Sequence, residues 1–572
     1  MDIILKYVRP LWPLALFAPI SVLIETWAEL AQPDLMASIV DRGILGSEQD
    51  IIVPTGVKMV VIMLFGVVAG LFSIYAAGKV SYRLGADLRS DIYWRVSRMS
   101  FSDIDRLEVP SLITRLGDDV NRVQSVVQQA MRLLFRAPLM FVGSVVMALM
   151  INVDISVIII GVMVISFGLV LNIMRRTVKM FTDLQTRRDK FTSVVQEILT
   201  GVRVTKAYTN EELERERFGE ANDALSDQSI LVGKTMAWMM PIVSFALNAG
   251  TILIIYFGAG QVAIGGMKVG GIMAAINYMA QIQMALMMAQ HVIMSITQAK
   301  ASLTRIKEVL ATPTEDERDE AAMGGKPLLP FTNGDIEFHN VSFAYTVGGP
   351  NQLENISIKI GRGKTLAIMG ETGSGKTTLI NLIARFYEPT QGTVTINGVD
   401  LREIERADLQ THVGVVLQTS LLFSGTLREN LRMGRISATD DEIMEAAETA
   451  DIADYIRSQA DGLDAKVEQG GKNLSGGQRQ RMCIARALIM RPDILVLDDS
   501  LCALDTVTES RIRKKLASTD TTKVIVSQRI SSICQADNIV VLGSGRVIAQ
   551  GKHDELLKNC DTYRETYLAQ TR

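Results

Sequence analysis

The sequence predicts two joined halves of different class: an α-helical transmembrane domain over 1–310 and an α/β domain over 335–572, with a linker at 311–334. Three observations carry this reading. Six apolar stretches, each long enough to cross a bilayer, fall within the first 300 positions. A charged segment then ends the apolar pattern. After it come short β-rich runs, one of which leads into a glycine-rich loop and a helix.

A length of 572 residues accommodates two or more domains. The chain is 48% hydrophobic with a mean hydropathy of +0.22, high for a soluble protein. A net charge of −3 supplies no global basic field, which argues against nucleic acid as a partner. The four cysteines, Cys483, Cys502, Cys534 and Cys560, have spacings that fit neither a zinc site nor a disulfide scaffold. Reduced thiols in a cytosolic domain are expected. Residues 1–12 carry Lys6 and Arg9, and no small-residue cleavage site follows, so they read as an amphipathic helix on the cytoplasmic face.

The candidate spans are 11–32, 57–78, 133–153, 155–174, 236–258 and 269–296. Only Asn152, Val153 and Asp154 join the third to the fourth, which forces a tight turn. The long loops 79–132 and 175–235 are rich in Lys and Arg, including Arg83, Arg89, Arg95 and Arg115, whereas the opposite side carries Arg42 and Lys268. Positive charge stays inside, so both long loops face the cytoplasm. They read as helical extensions, the first broken at Pro110 within 102–116 and the second at Gly201 within 196–218.

Two carboxylates fall in the first span. Glu25 and Glu29 are four apart and share a helix face. Burying one in hydrocarbon costs about 2.5–3.5 kcal/mol. They form either a cation-attracting patch in a substrate cavity, or groups near the outer surface or paired across the bundle. The sixth span is rich in methionine and amides: Met273, Asn277, Met279, Gln281, Gln283, Met284, Met287, Met288 and Gln290. Adaptable methionines with scattered amides, such as Asn277, Gln281, Met284 and Met288, suit an amphipathic ligand; ordinary helix packing explains any one Met equally well.

Beyond the linker, strands are expected at 336–343, 352–360 and 365–369. Gly370-Glu371-Thr372-Gly373-Ser374-Gly375-Lys376-Thr377 then matches G-x-x-x-x-G-K-[ST], and Thr378 opens a helical run to 386. Backbone N–H groups and a helix N-terminus cradle phosphates in such a loop. Lys376 would reach the β- and γ-phosphates, and Thr377 would ligate Mg²⁺. The apolar run 494–498 ends in Asp498, the profile of a buried strand that delivers a carboxylate to Mg²⁺. Between them, Leu474-Ser475-Gly476-Gly477-Gln478 opens a basic helical run, a glycine-rich turn of the kind that binds anions.

These motifs, in this order and over nearly the whole chain, resemble the ABC (ATP-binding-cassette) transporters, whose own signature is LSGGQ. The resemblance implies six spans with long cytoplasmic helical extensions fused to an α/β P-loop ABC ATPase domain, with ATP and Mg²⁺ as cofactors. It implies that Tyr345 stacks on adenine, that Gln418 touches Mg²⁺ and the transmembrane contact, and that Ala503, Leu504 and Asp505 form the D-loop. By the same resemblance, Ser475, Gly476, Gly477 and Gln478 serve an ATP held by a second subunit, and each long loop turns through a coupling helix that docks on a nucleotide-binding domain. Spans and ATPase in one chain favour export across the plasma membrane, with the N-terminus and ATPase domain cytoplasmic.

Two positions depart from the hydrolytic pattern. The glutamate expected after Asp498 is Asp499, and the switch histidine is Gln528. Asp and Glu differ little in basicity, about 3.9 against 4.3, but the shorter side chain falls back from a proton it must approach to about 3 Å. Gln528 offers a neutral hydrogen bond and never a cation. LSGGQ is intact. This asymmetry resembles one half of a heterodimeric, multidrug-exporter-like bacterial ABC exporter that moves amphipathic drugs or lipids. The alternatives are a homodimeric lipid flippase or peptide exporter, and a membrane sensor that binds ATP without pumping.

Overall fold

The structure, a computed structural model, describes residues 2–324, 327–346, 348–502 and 504–571. It forms two compact units. One takes in Met1–Tyr93 and Leu112–Leu310; the other takes in Trp94–Ser111 and Ala311–Arg572.

In the first unit, among the described residues, six helices are long and apolar enough to cross a membrane: Ile4–Ile44, Gln49–Val96, Val109–Ile151, Val153–Tyr208, Glu211–Ala263 and Val269–Ala289. In hydrocarbon only a helix or a closed barrel satisfies every backbone polar group, so β-branched runs such as that from Ile155 to Ile160 stay helical there. The helices continue well past the apolar stretch. Val153–Tyr208 is 56 residues, about 84 Å at 1.5 Å per residue. At the short turn, Asn152 is extended and its side-chain oxygen accepts from Ile155 N at 3.1 Å, capping the new helix at once. Ile155, Ile159, Met163, Ile254, Tyr278 and Ile282 form part of the buried core.

Both helix breaks in the long extensions differ from expectation. The helix Phe101–Leu107 ends at Glu108, whose φ is 59°, and Pro110 sits in the first turn of the next helix, Val109–Thr114. A missing N–H is tolerated there. Gly201 lies inside Val153–Tyr208; the chain turns at Thr209, which is left-handed, before Glu211–Ala237 begins. One glycine costs a helix about 1 kcal/mol, too little to stop one of this length.

In the second unit, a six-stranded sheet runs in the order Arg546–Gly551, Asn538–Gly543, Thr365–Gly370, Thr522–Val526, Ile494–Asp498, Val413–Val416. The last five are parallel, and Arg546–Gly551 is antiparallel. A second, antiparallel sheet is ordered Leu353–Ile360, Ile336–Phe343, Gln391–Ile396, Val399–Asp400. Ile494–Asp498 is buried throughout, as its unbroken apolar pattern requires.

The segment expected to be a linker holds a nine-residue helix, Glu315–Met323, capped by Thr314 and Glu317. Part of its charge is buried. Asp319 is buried and pairs with Arg385 at 2.6 Å and Arg406 at 3.3 Å. The short helix Phe101–Leu107 belongs to this unit. Phe101 packs on Phe386 at 4.7 Å between ring centroids, Arg318 pairs with Asp103, and Arg95 pairs with Glu317 at 2.6 Å. The turn at Thr209 belongs to the helical unit.

Candidate nucleotide site

Parallel pairing aligns the carboxyl ends of Thr365–Gly370, Thr522–Val526 and Ile494–Asp498. Val526 lies opposite both Ile368 and Asp498. The crevice beyond the carboxyl ends of such strands is where an open α/β sheet binds its ligand. The loop after Gly370 turns through Gly373 at φ 84° and Gly375 at φ 99°. A Cβ on Gly375 would lie 2.7 Å from Leu353 Cδ2, so the loop needs glycine for space as well as for φ. The helix Lys376–Ile383 starts here and aims its free N–H groups at the phosphate position.

Lys376 Nζ donates to Gly370 O at 2.8 Å and to Glu371 O at 2.6 Å, so the ammonium lies across the loop. Burial lowers its pKa, while the charges of Asp499 and Asp498 oppose that. Thr377 Oγ1 donates to Asp498 Oδ2 at 3.0 Å. Asp498 is 2% exposed. Burial raises its pKa and Asp499 adds to the rise, while Thr377 and Lys376 pull against it. A buried carboxylate beside a hydroxyl lacks a full counter-charge, and Mg²⁺ would supply one; Thr377 and Asp498 therefore fit that ion.

Tyr345 is 44% exposed, and its hydroxyl is 3.1 Å from Thr378 Oγ1. The Thr378 side chain thus serves Tyr345. The Tyr345 ring is edge-on to Phe343 and Tyr387, with centroids at 4.8 and 5.1 Å, which leaves ring surface for a base. Gln418 is exposed, two residues beyond the end of Val413–Val416.

Asp499 has a φ of 47°, in the left-handed region that Asp tolerates better than most residues. Its N–H donates to Val526 O at 3.1 Å, and its Oδ1 accepts from the Cys502 thiol. Burial, together with that hydrogen bond, pushes the Cys502 pKa up to about 11, so the thiol stays protonated and donates. Ala503 lies outside the described residues. Asp505 caps Thr506–Ala517 by accepting from Thr508 N at 3.0 Å. Gln528 is exposed, and its backbone is clasped by the final helix: Gln570 Nε2 donates to Gln528 O at 2.7 Å, and Gln570 Oε1 accepts from Ile530 N at 2.8 Å. Arg529 donates to Cys502 O at 3.2 Å and pairs with buried Glu509, which ties the segment after Gln528 to the loop after Asp499.

The LSGGQ segment is a capping box, a feature that the motif S-x-x-Q carries and that its phosphate reading overlooks. Ser475 Oγ accepts from Gln478 N at 3.2 Å, and Gln478 Oε1 accepts from Ser475 N at 2.8 Å. Gln478 therefore turns back on the cap, while Ser475 and Gly476 are exposed at the start of Gly476–Ile489. Among the described residues, no hydrogen bond or ion pair joins Ser475, Gly476, Gly477 or Gln478 to Lys376, Thr377, Asp498 or Asp499.

The membrane acids are paired. Arg136 donates to Glu25 at 2.6 Å and to Glu29 at 2.5 Å, and Arg132 lies 3.8 Å from Glu25. The open cation-attracting patch gives way to the cross-bundle pair, because an unpartnered carboxylate in hydrocarbon is the costlier state. A basic residue inside the third apolar stretch was the available signal for Arg136. Gln281 accepts from Ser144 at 3.0 Å and donates to Glu29 O at 3.3 Å, while Asn277 bonds back to Met273 O at 2.9 Å. Met284 is exposed and Met288 half-buried; the Gln290 side chain lies outside the described residues.

A nucleotide loop of this kind on a chain with six membrane-length helices defines a membrane transport ATPase. Family comparison agrees: residues 15–286 match the ABC transporter transmembrane region, and residues 353–501 match the ABC transporter domain. The chain belongs to the ABC transporters that fuse a transmembrane region to an ATP-binding domain. It is 36% identical to the uncharacterized ABC transporter ATP-binding protein YfiB of Bacillus subtilis, over 99% of this chain and 98% of that one. A fatty acid ABC transporter ATP-binding/permease protein of Mycobacterium bovis is 32% identical, over 83% of this chain and 75% of its own length. In fold, the chain matches a bacterial Atm1-family ABC exporter solved with ATP bound, with a TM-score of 0.80 and 24% identity, over 98% of this chain and 99% of that one.

Proposed function

We propose that this chain is the degenerate half of a heterodimeric exporter of amphipathic molecules, its ATPase domain and N-terminus cytoplasmic. One observation carries the reading: Asp499 and Gln528 stand where a hydrolytic site has Glu and His, while LSGGQ is intact and capped. The hydrogen bond from Cys502 to Asp499 adds support, because it occupies one oxygen of that carboxylate. In this reading Lys376, Thr377 and Asp498, with Gln418 and Tyr345, hold an ATP that turns over slowly. Ser475, Gly476 and Gly477 complete the partner's competent site across the dimer, with Gln478 bracing the cap and Asp505 setting the D-loop helix.

ATP closes the two nucleotide domains, the coupling helices carry that closure to the bundle, and hydrolysis at the competent site resets it. Differential ATP affinity between open and closed dimers supplies the work. Identification of the subunit that co-purifies from native membrane tests the pairing. The expected result is a second, different half with a glutamate and a switch histidine. Brisk turnover and transport by this chain paired only with itself would overturn the assignment.

The fatty acid transporter among its relatives favours a lipid-like cargo over a hydrophilic peptide. Asn277, Met284 and Met288 are then candidate contacts. Flip of a labelled lipid in vesicles, against uptake of a cationic dye, distinguishes the two amphipathic cargoes.

A further inference from the structure

A cavity of about 440 Å³ opens where the first two membrane-length helices are joined. Asp34, toward the end of Ile4–Ile44, and Lys58, toward the start of Gln49–Val96, both line it and both are exposed. They do not pair with each other, and among the described residues neither is in an ion pair with any other group. Gln32 Nε2 donates to Met59 O at 3.3 Å, which holds the helix that carries Asp34 against the one that carries Lys58. A Cβ on Gly143 of Val109–Ile151 would lie 2.3 Å from Leu30 Cδ1, so the third helix presses on the first and closes the back of the cavity. Most of the remaining wall is apolar, with Leu30, Ile62 and Val146. Trp27 stands about 10 Å along the helix from Asp34, at 1.5 Å per residue, and is 60% exposed.

We propose that this cavity holds one phospholipid with a primary-ammonium headgroup, of the phosphatidylethanolamine class, drawn from the leaflet opposite the long helical extensions. A lone cation here would select an acidic lipid, and a lone anion would repel every phosphate. Two opposite charges that do not cancel each other select a zwitterion. Lys58 takes the phosphate as a point charge, and the Asp34 carboxylate accepts hydrogen bonds from the ammonium. A quaternary ammonium has no N–H to give, so a choline lipid leaves those bonds unmade. The charges stand near the helix ends and the apolar wall lies further in, the orientation that a lipid of that leaflet already has. Trp27 suits the junction of the two, since its ring packs on methylenes while its N–H can donate to an ester oxygen. A volume of about 440 Å³ is that of a small-molecule site, so it takes the headgroup and the first part of the chains, and the rest stays in the bilayer. The site does not depend on which nucleotide face hydrolyses.

The test places the assembled complex in nanodiscs with equal parts of phosphatidylethanolamine, phosphatidylglycerol and phosphatidylcholine, extracts it in detergent, and counts the lipid it retains by mass spectrometry. The wild type should retain phosphatidylethanolamine over either other lipid by about tenfold, the scale of one charge-assisted hydrogen bond. Asp34→Asn should cut the preference over phosphatidylglycerol to less than about twofold, since Lys58 serves both phosphates. Lys58→Gln should lower retention of phosphatidylethanolamine and phosphatidylglycerol alike, by about fivefold. Trp27→Phe should weaken retention by about threefold without changing the preference. All variants are compared at equal recovery of assembled complex, so a misfolded fraction does not count as lost lipid. Equal retention of the three lipids by the wild type overturns the proposal, as does an Asp34→Asn complex that keeps the full preference. Retention of phosphatidylglycerol above phosphatidylethanolamine would show Lys58 acting alone, and overturns it too.

Discussion

In the proposed function the chain presents two surfaces to nucleotide, and they are built on opposite principles. The phosphate-loop face is a set of charges held in low dielectric: Lys376 drawn across its own loop, Asp498 buried, and Asp499 beside both. The signature face has no charge of its own. It is an exposed helix start whose N–H groups are organised by the capping box of Ser475 and Gln478. In the proposed reading, the first face lacks reach at Asp499 and a cation at Gln528, while the second keeps its full LSGGQ. Side chains that must approach a reacting atom are sensitive to one methylene, whereas a backbone site needs only its cap.

The largest expected effect is at Ser475. Ser475→Asp keeps an acceptor for the Gln478 N–H but places a negative charge where γ-phosphate belongs, so ATPase of the complex should fall about 100-fold, as when a preorganised donor is removed. Normal turnover by the purified variant complex would break the contrast between the faces. Lys376→Ala should abolish nucleotide photolabelling of this chain yet lower turnover of the complex by less than about tenfold, because the proposed pairing puts the competent site elsewhere. A loss equal to that of Ser475→Asp would show that both faces are hydrolytic. Asp499→Glu restores reach, and turnover should rise by up to about threefold, or stay level if Gln528 also limits. A loss greater than about tenfold opposes the assignment.

The smallest effect concerns pH and separates the faces by charge. Burial raises the pKa of Asp498, so the folded domain holds a proton there that the unfolded chain has already released. Stability tied to that proton is present at low pH and fades as pH rises through the raised pKa. Mg²⁺-nucleotide needs the carboxylate ionised, so affinity at this face should decline on acidification from above the ordinary aspartate range, about 3.9. Ser475 and Gln478 do not titrate, and affinity for phosphate at the signature should show no matching trend. Nucleotide titrations of Lys376→Ala and wild-type complexes across pH check the difference.

The sequence made the membrane spans legible because hydrocarbon leaves the backbone so few options. The strands around the phosphate loop were legible because they are short, apolar and punctuated by glycine. The helix ends were not. Glu108 and Thr209 adopt positive φ without being glycine, so the residues that look like breakers, Pro110 and Gly201, drew attention away from the true turns. Pairs distant in sequence were equally hidden: Arg136 with Glu25 and Glu29, and Tyr387 with Asp105. The charged stretch 311–333 reads as a linker, because charge alone cannot show that Asp319 has Arg385 and Arg406 waiting. Thr377 and Asp498 lie 121 positions apart and meet at 3.0 Å because the strands that lead to them, Thr365–Gly370 and Ile494–Asp498, flank Thr522–Val526 in one parallel sheet.

Gln570 holds the backbone on both sides of Arg529 with one amide. Anything fused after it is mechanically in series with the Gln528 loop. A bulky reporter at that end would act as a lever on the catalytic cycle, and a chain shortened before Gln570 would set the loop free, so labels for watching turnover belong at the other terminus.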